Sequence, residues 1–210
     1  MTNCYTLEHL HFDKGIFDSF VQHTFVITME GSHRRRTFLK QLQQHKLTKH
    51  AIILVNNGYK SCTKSICQKN SCARVLAPAV DLIHANLEIA SYCLENNIEN
   101  AIVLEDDFII SSNIHDPIVV SDFKKTVHNY HHENLFVYFG MVPWFTTRHY
   151  NNFRKAYMST GTHAVLLNRN AMSYMKKVCA SYSDYDYFSS KESILGDLYL
   201  SLIHISEPTR

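Results

Sequence analysis

Three acids in succession, Glu105-Asp106-Asp107, follow directly on the most apolar run of the chain, Ala101 to Leu104 (AIVL). A short apolar run bounded by polar residues reads as a buried strand, so the acids stand where a strand leaves its sheet. In an open parallel sheet, that edge is where ligands bind. Residues two apart in extended backbone point the same way, which puts Glu105 and Asp107 on one face and Asp106 on the other. Two hard carboxylate oxygens on one side suit Mg²⁺ or Mn²⁺, with the remaining positions left to water and phosphate. Such a cation would neutralise charge on a departing nucleoside diphosphate. A solvated acidic turn has the same composition, so the triplet needs support from elsewhere in the chain.

That support comes from the first strand. Phe25-Val26-Ile27 is an apolar run that leads through Thr28-Met29-Glu30-Gly31-Ser32 into Arg34, Arg35 and Arg36. Ser32 is an N-cap type of residue, and the spacing predicts a helix from it to about Gln44 with Phe38, Leu39 and Leu42 inward. Guanidinium groups and free helix N–H groups both attract phosphate. An arginine run is ordinarily just an exposed helix turn, but an acidic site expected on the same sheet edge favours the phosphate reading.

The elements that must hold these residues alternate between strand and helix, the pattern of a mostly parallel sheet covered by helices. Ala51 to Val55 is a second buried strand, stopped by Asn56-Asn57-Gly58. Tyr59 to Ala77 is polar, cysteine-rich and expected to be a loop or small insertion. Pro78 opens a helix to about Asn96 with Ile83, Leu87, Ala90 and Leu94 on one face. A helix from about Asp116 to Tyr130, a strand from Leu135 to Phe139, one or two strands within 157–167 and a helix from Arg169 to Ala180 follow. Residues 1–22 are expected to be an N-terminal extension and 23–199 the domain. The last eleven residues, LSLIHISEPTR (200–210), resemble a translated transposase adapter from a sequencing library, so they are read as a non-native tail and the domain as incomplete after Tyr199.

With 45% hydrophobic and 19% charged residues, the composition is that of a folded globular domain and not of a disordered chain. A net charge of +2 with fourteen histidines neutral is too mild to point to a nucleic-acid partner. No run of eighteen apolar residues exists, so no transmembrane helix is expected. The opening residues lack the apolar core of a secretory signal, which makes the cytoplasm the default location. Cys62, Cys67 and Cys72 are spaced by five, unlike the paired short spacing of a zinc site. They read as incidental thiols in a loop, or as one disulfide in an oxidising setting.

Several stretches, in order, resemble glycosyltransferase family 25, the lipopolysaccharide-type and collagen-type galactosyltransferases. FVITMEGSHRRRTFLKQL is similar to the family's opening strand, turn and helix, with Thr28 and Glu30 at the turn positions and Arg35 at its arginine. Thr28 stands where the family usually has asparagine. DLIHANLEIASYCLENNIENAIVLEDDF resembles the helix and strand that lead to Leu-Glu-Asp-Asp, with His84 at the family's histidine and Ile83 in place of a preceding serine. FVYFG (136–140), GTHAVLLNRNAM (161–172, with Thr162 and His163) and LGDLYL (with Asp197) are similar to later motifs. The resemblance implies a GT-A-type, Rossmann-like nucleotide-sugar-binding fold. It also implies a UDP-sugar donor, with galactose or glucose as the expected sugar, and transfer with inversion to a glycan or protein hydroxyl.

On this reading Asp107 is the principal metal ligand and Glu105 supports it directly or through water. Asp106 contacts a ribose or sugar hydroxyl, and Arg35 the diphosphate or uridine, with Thr28 and Glu30 beside them. An inverting transfer needs a base within reach of the acceptor hydroxyl. Asp197 is the first choice and Glu192 the second, although an acid near a helix start is also a common cap. His163 lines the acceptor side or is packed structure. Trp144 and Phe145 form a sugar-stacking platform or anchor a loop. A non-catalytic binding module of the same fold and a nucleotidyltransferase are the competing readings, and an acid-metal nuclease is a third. The second is weakened by the absence of a glycine-rich phosphate loop after the first strand.

Overall fold

The computed structural model describes residues 3–67, 72–139, 142–150, 153–160, 164–181 and 201–202. Its centre is three parallel strands, each an apolar run that buries both faces. These are β2 (His23–Met29), β3 (His50–Asn56) and β6 (Asn100–Glu105), in the order β3-β2-β6. β1 (Tyr5–His11) lies antiparallel on β3 at one edge. On the other side β10 (Ala164–Asn168) runs antiparallel between β6 and β7 (Phe136–Phe139). The hairpin β8 (Val142–Tyr150) and β9 (Phe153–Thr160) completes that side, with the two residues of β11 (Ser201–Leu202) between β7 and β9. The expected α/β sheet flanked by helices is present and parallel at its core, while antiparallel strands on both flanks make the whole sheet mixed rather than mostly parallel.

Helices cover both faces, and strand alternation decides which residue goes to which. Phe25 and Ile27 of β2 join Ile52, Leu54, Ala101 and Val103 on the face covered by α3 (Pro78–Glu95) and α5 (Arg169–Ser181), through Ala85, Ile89, Ala90, Met172 and Met175. Val26, between them, faces the opposite way with Ile53, Ile102 and Leu104. That face is covered by α1 (Arg35–His45) and α4 (Pro117–Asn129), through Phe38, Leu42, Phe123 and Val127. α3 starts at Pro78, whose missing N–H costs nothing in a first turn. Asp116 caps α4 by accepting from the Ile118 N–H at 2.8 Å.

The structure sharpens three expectations. Residues 3–22 pack with the domain: β1 pairs with β3 over its whole length, and Phe17 and Val21 are buried in the α1/α4 core. Histidines and a glutamate interrupt the apolar pattern of β1, as an edge strand allows, and so hid it. The stretch expected as a loop or small insertion is the latter, with α2 (Gly58–Ser61) and the antiparallel pair β4 (Ser65–Cys67) and β5 (Cys72–Arg74). Of the two readings left open for the cysteines, the disulfide is the one present: Cys62 is bonded to Cys4 with Cα atoms 5.6 Å apart, and Cys72 is disulfide-bonded as well. Disulfides persist in oxidising surroundings, which runs against the cytosolic default. No helix among the described residues is long and apolar enough to cross a membrane.

Candidate active site

The chain leaves β2 for β3 on one side and later returns to β6 on the other. The carboxyl ends of β2 and β6 therefore flank a topological switch point, the position where open α/β sheets bind ligands. The acids and the arginine run meet there. Gly31, at φ +73°, makes the turn that β2 needs in a conformation side chains resist. The turn closes through Ser32 N–H to the Met29 carbonyl at 3.1 Å and carries Ser32 across to the acids.

Asp106 is the hub. Its Oδ2 accepts from Thr28 Oγ1 at 2.8 Å and from Ser32 Oγ at 2.7 Å, and its Oδ1 accepts from Arg34 Nη1 at 3.1 Å. Arg34 also lies 3.8 Å from Asp107 Oδ2. Phe108, buried in the α1/α4 core, anchors the acidic turn from below, and Gln41 of α1 accepts the Ile110 N–H at 3.1 Å. Burial raises the Asp106 pKa more than any other single influence, but the two hydroxyls and the Arg34 guanidinium together outweigh it. The carboxyl is held below the ordinary carboxylate value.

Asp106→Ala is expected to lower stability by about 2 kcal/mol, because it removes charge-assisted hydrogen bonds and leaves the buried Thr28 hydroxyl without its acceptor. Asp106→Asn, which keeps one acceptor oxygen, is expected to cost less. Because the folded pKa is depressed, the Asp106 contribution is complete above the unfolded value near 4 and lost as pH falls through the folded one. Urea unfolding of the three proteins at pH 7 and pH 3.5 checks both statements; an Asp106→Ala penalty that persists unchanged at low pH contradicts the second.

The remaining expected residues separate into those the fold gathers and those it does not. Thr28 is at the site, and its buried hydroxyl serves Asp106 rather than facing outward. Asp106 accepts hydrogen bonds from Thr28, Ser32 and Arg34, and so ties the turn after β2 to the turn after β6. Strand geometry ends at Glu105, where the Phe108 N–H turns back to its carbonyl at 3.3 Å. The alternation that put Glu105 and Asp107 on one face therefore stops one residue too early to apply. Arg35 is drawn off to Glu8 of β1 and does not face the acids. Arg34 is the arginine that lies against the acids. Arg34 is the N-cap and Arg35 the first helical residue, so the two side chains leave the backbone in different directions. Ser32 is not the N-cap, since Arg34 occupies that position. Glu30 is exposed, with its N–H bonded to the Asn56 carbonyl at 2.9 Å. His84 is buried with its Nδ1 2.8 Å from the Tyr5 hydroxyl, on the α3 face; burial is the main influence lowering its pKa. Asp197, Glu192, Thr162 and His163 lie outside the described residues, as do the side chains of Trp144 and Phe145.

Among the described residues no three His, Cys, Asp or Glu side chains gather into a metal-binding group. With Asp106 committed to Thr28, Ser32 and Arg34, a cation at this turn would have at most Glu105 and Asp107 as protein ligands. That donor set fits Mg²⁺ or Mn²⁺, which keep several waters and take substrate phosphate oxygens.

Fold and site together define a doubly wound α/β domain with an acidic turn and a basic one facing each other at its switch point. No protein-family model matches the chain, and no curated protein does. Among solved structures, the chain is similar to one described as a glycosyltransferase involved in the glycosylation of the major capsid of PBCV-1. The likeness has a TM-score of 0.45 and 10% identity, over 89% of this chain and 94% of that one.

Proposed function

We propose that this protein is a metal-dependent glycosyltransferase that takes a nucleotide sugar, a UDP-sugar by its resemblance to family 25, and passes galactose or glucose with inversion to a glycan or protein hydroxyl. The observation that carries the reading is the meeting of the acidic turn after β6 with Arg34 at the switch point. A nucleoside diphosphate needs cations near its phosphates and a metal between them and the protein. Glu105 and Asp107 would hold Mn²⁺ or Mg²⁺, which neutralises the charge on the leaving diphosphate. Asp106 keeps Thr28, Ser32 and Arg34 in register with that turn. Arg34, half exposed, is the group free to turn from Asp106 to phosphate.

The test is calorimetric binding of UDP and UDP-sugars with and without Mn²⁺. Arg34→Ala is expected to weaken binding by roughly 10- to 100-fold, the worth of one charge-assisted contact, while Arg35→Ala changes it little. Asp107→Ala is expected to remove the Mn²⁺ dependence. If Arg35→Ala is the damaging change, or Mn²⁺ has no effect on the unaltered chain, the assignment is wrong.

A further inference from the structure

At the end of the sheet opposite the candidate site, His11 of β1 and His23 of β2 are the cross-strand partners of His50 on β3, one on each side. Cross-strand partners project to the same face, so the rings form a row. Their centroids are 5.0 Å apart for His11 and His50 and 5.3 Å for His50 and His23. His11 Nδ1 and His50 Nδ1 are 3.0 Å apart. His23 lies nearly flat on His50, with a 22° angle between the planes, and so props that ring from the inner side. Its own Nδ1 is buried without a hydrogen-bond partner, and beyond it the row ends at Ala101 of β6.

A hydrogen bond between two neutral rings gives the His11–His50 spacing. A shared metal ion requires nearly the same one: with Zn–N bonds of about 2.0–2.1 Å, two imidazole nitrogens on one Zn²⁺ lie roughly 3.0–3.4 Å apart. Both rings can ligate through Nδ1 once the donor ring carries its proton on Nε2, a change of tautomer only. The neighbours select among cations. The charges that act on His23 come from His50, His9 and His11, and no carboxylate is among them. Imidazoles without carboxylates suit Zn²⁺, Cu²⁺ and Ni²⁺, not the hard Mg²⁺ or Mn²⁺ that fit the acidic turn. His11 is exposed and His50 half-buried, so water can complete the coordination. Two protein ligands are what the row has in place, consistent with there being no three-ligand group among the described residues.

We propose that His11 and His50 form a two-histidine site for Zn²⁺ or a neighbouring transition-metal ion, which staples the edge strand β1 to β3. β1 is hydrogen-bonded to the sheet on one side only. Its first turn is fastened by Cys4–Cys62 and by Tyr5 to His84, and its middle by Glu8 to Arg35. The metal adds a tie at the His11 end. An ion held by one residue from each strand binds the closed edge and not the opened one. The ratio of closed to open therefore rises by one plus the ratio of free metal to its dissociation constant. His9, two residues before His11 on the same face of β1, offers the competing pairing. A chelate by His9 and His11 within one strand would leave the opening of β1 unchanged.

The test pairs calorimetric titration of the chelator-treated whole chain with ZnCl₂ at pH 7.5 with amide hydrogen exchange read by mass spectrometry. An Asp107→Ala background takes the acidic turn out of the measurement. In that background a Zn²⁺ site is expected that His11→Gln and His50→Gln each weaken at least about tenfold, since loss of even an outer-shell partner of a ligand costs that much. His115→Gln and His131→Gln, at two other histidine contacts, are expected to leave it unchanged. At free Zn²⁺ about 100 times the dissociation constant, protection of peptides covering 8–12 and 49–52 is expected to rise by up to about 100-fold. That rise is expected to vanish in His11→Gln, which lies on the exposed edge and carries the test should His50→Gln not fold. No binding, or binding indifferent to His11→Gln, would overturn the proposal. Binding that leaves the protection of β1 unchanged would overturn it as well, because it marks a chelate within one strand.

Discussion

Asp81→Ala is expected to destabilise the protein by about 3–5 kcal/mol, the cost of stranding a buried charge. The side chain of Lys64 is fully buried, and its Nζ lies 2.5 Å from Asp81 Oδ1 and 4.7 Å above the Tyr5 ring. It also donates to Asn56 Oδ1. Asp81 Oδ2 in turn accepts from the Tyr59 N–H at 3.1 Å and from Asn56 Nδ2 at 3.3 Å. Removing the carboxylate leaves an ammonium without its countercharge and a backbone N–H without its acceptor. Lys64→Met combined with Asp81→Leu removes both charges together, and is expected to cost far less than the single change because neither group is left unpaired. Urea unfolding of the single and double variants measures the difference. A single-variant loss below 1 kcal/mol, or a double variant no better than the single, would show that the pair is not a closed unit. The network sits at the carboxyl end of β3, where the Asn56 carbonyl also receives the Glu30 N–H. Its loss is therefore expected to reach the turn beside the candidate site.

The Cys4→Ser, Cys62→Ser double variant is expected to lose about 4 kcal/mol, which follows from the chain-entropy dependence on loop length for a sequence separation of 58. The closed segment contains β1, β2, α1 and β3, so the bridge limits the unfolded chain over a large part of the domain. Changing these two residues leaves the bond made by Cys72 in place, which treatment with a reductant would not. Denaturant midpoints of the two proteins at one pH decide the matter. Equal midpoints would mean that the bridge adds nothing to the fold and that β1 is held by its ladder and by the Glu8 and Tyr5 side chains.

What could be read from the residues alone was whatever depends on local pattern. The parallel strands β2, β3 and β6 stand out because each is apolar on both faces, and α3 and α4 because proline and Asp116 mark where they begin. The acids after β6 and the arginines after β2 could be placed on one sheet edge for the same reason. β1 escaped notice because an edge strand keeps one side in water and tolerates His9, His11 and Glu8 in its pattern. Its absence then concealed why Arg35 is unavailable, since Glu8 is the partner that takes it.

The roles within the site were a different matter. Adjacent side chains in one motif are separated by where a strand stops and a helix starts, and both are settled by packing. Phe108, seated in the core, ends the β6 alternation at Glu105. The turn at Gly31 brings Ser32 and Arg34 onto Asp106 and leaves Arg35 on the far side of the helix. The sequence by itself thus determined that acids and arginines share an edge. Only the tertiary structure decided which acid is the hub and which arginine faces it, because those contacts join residues more than seventy positions apart.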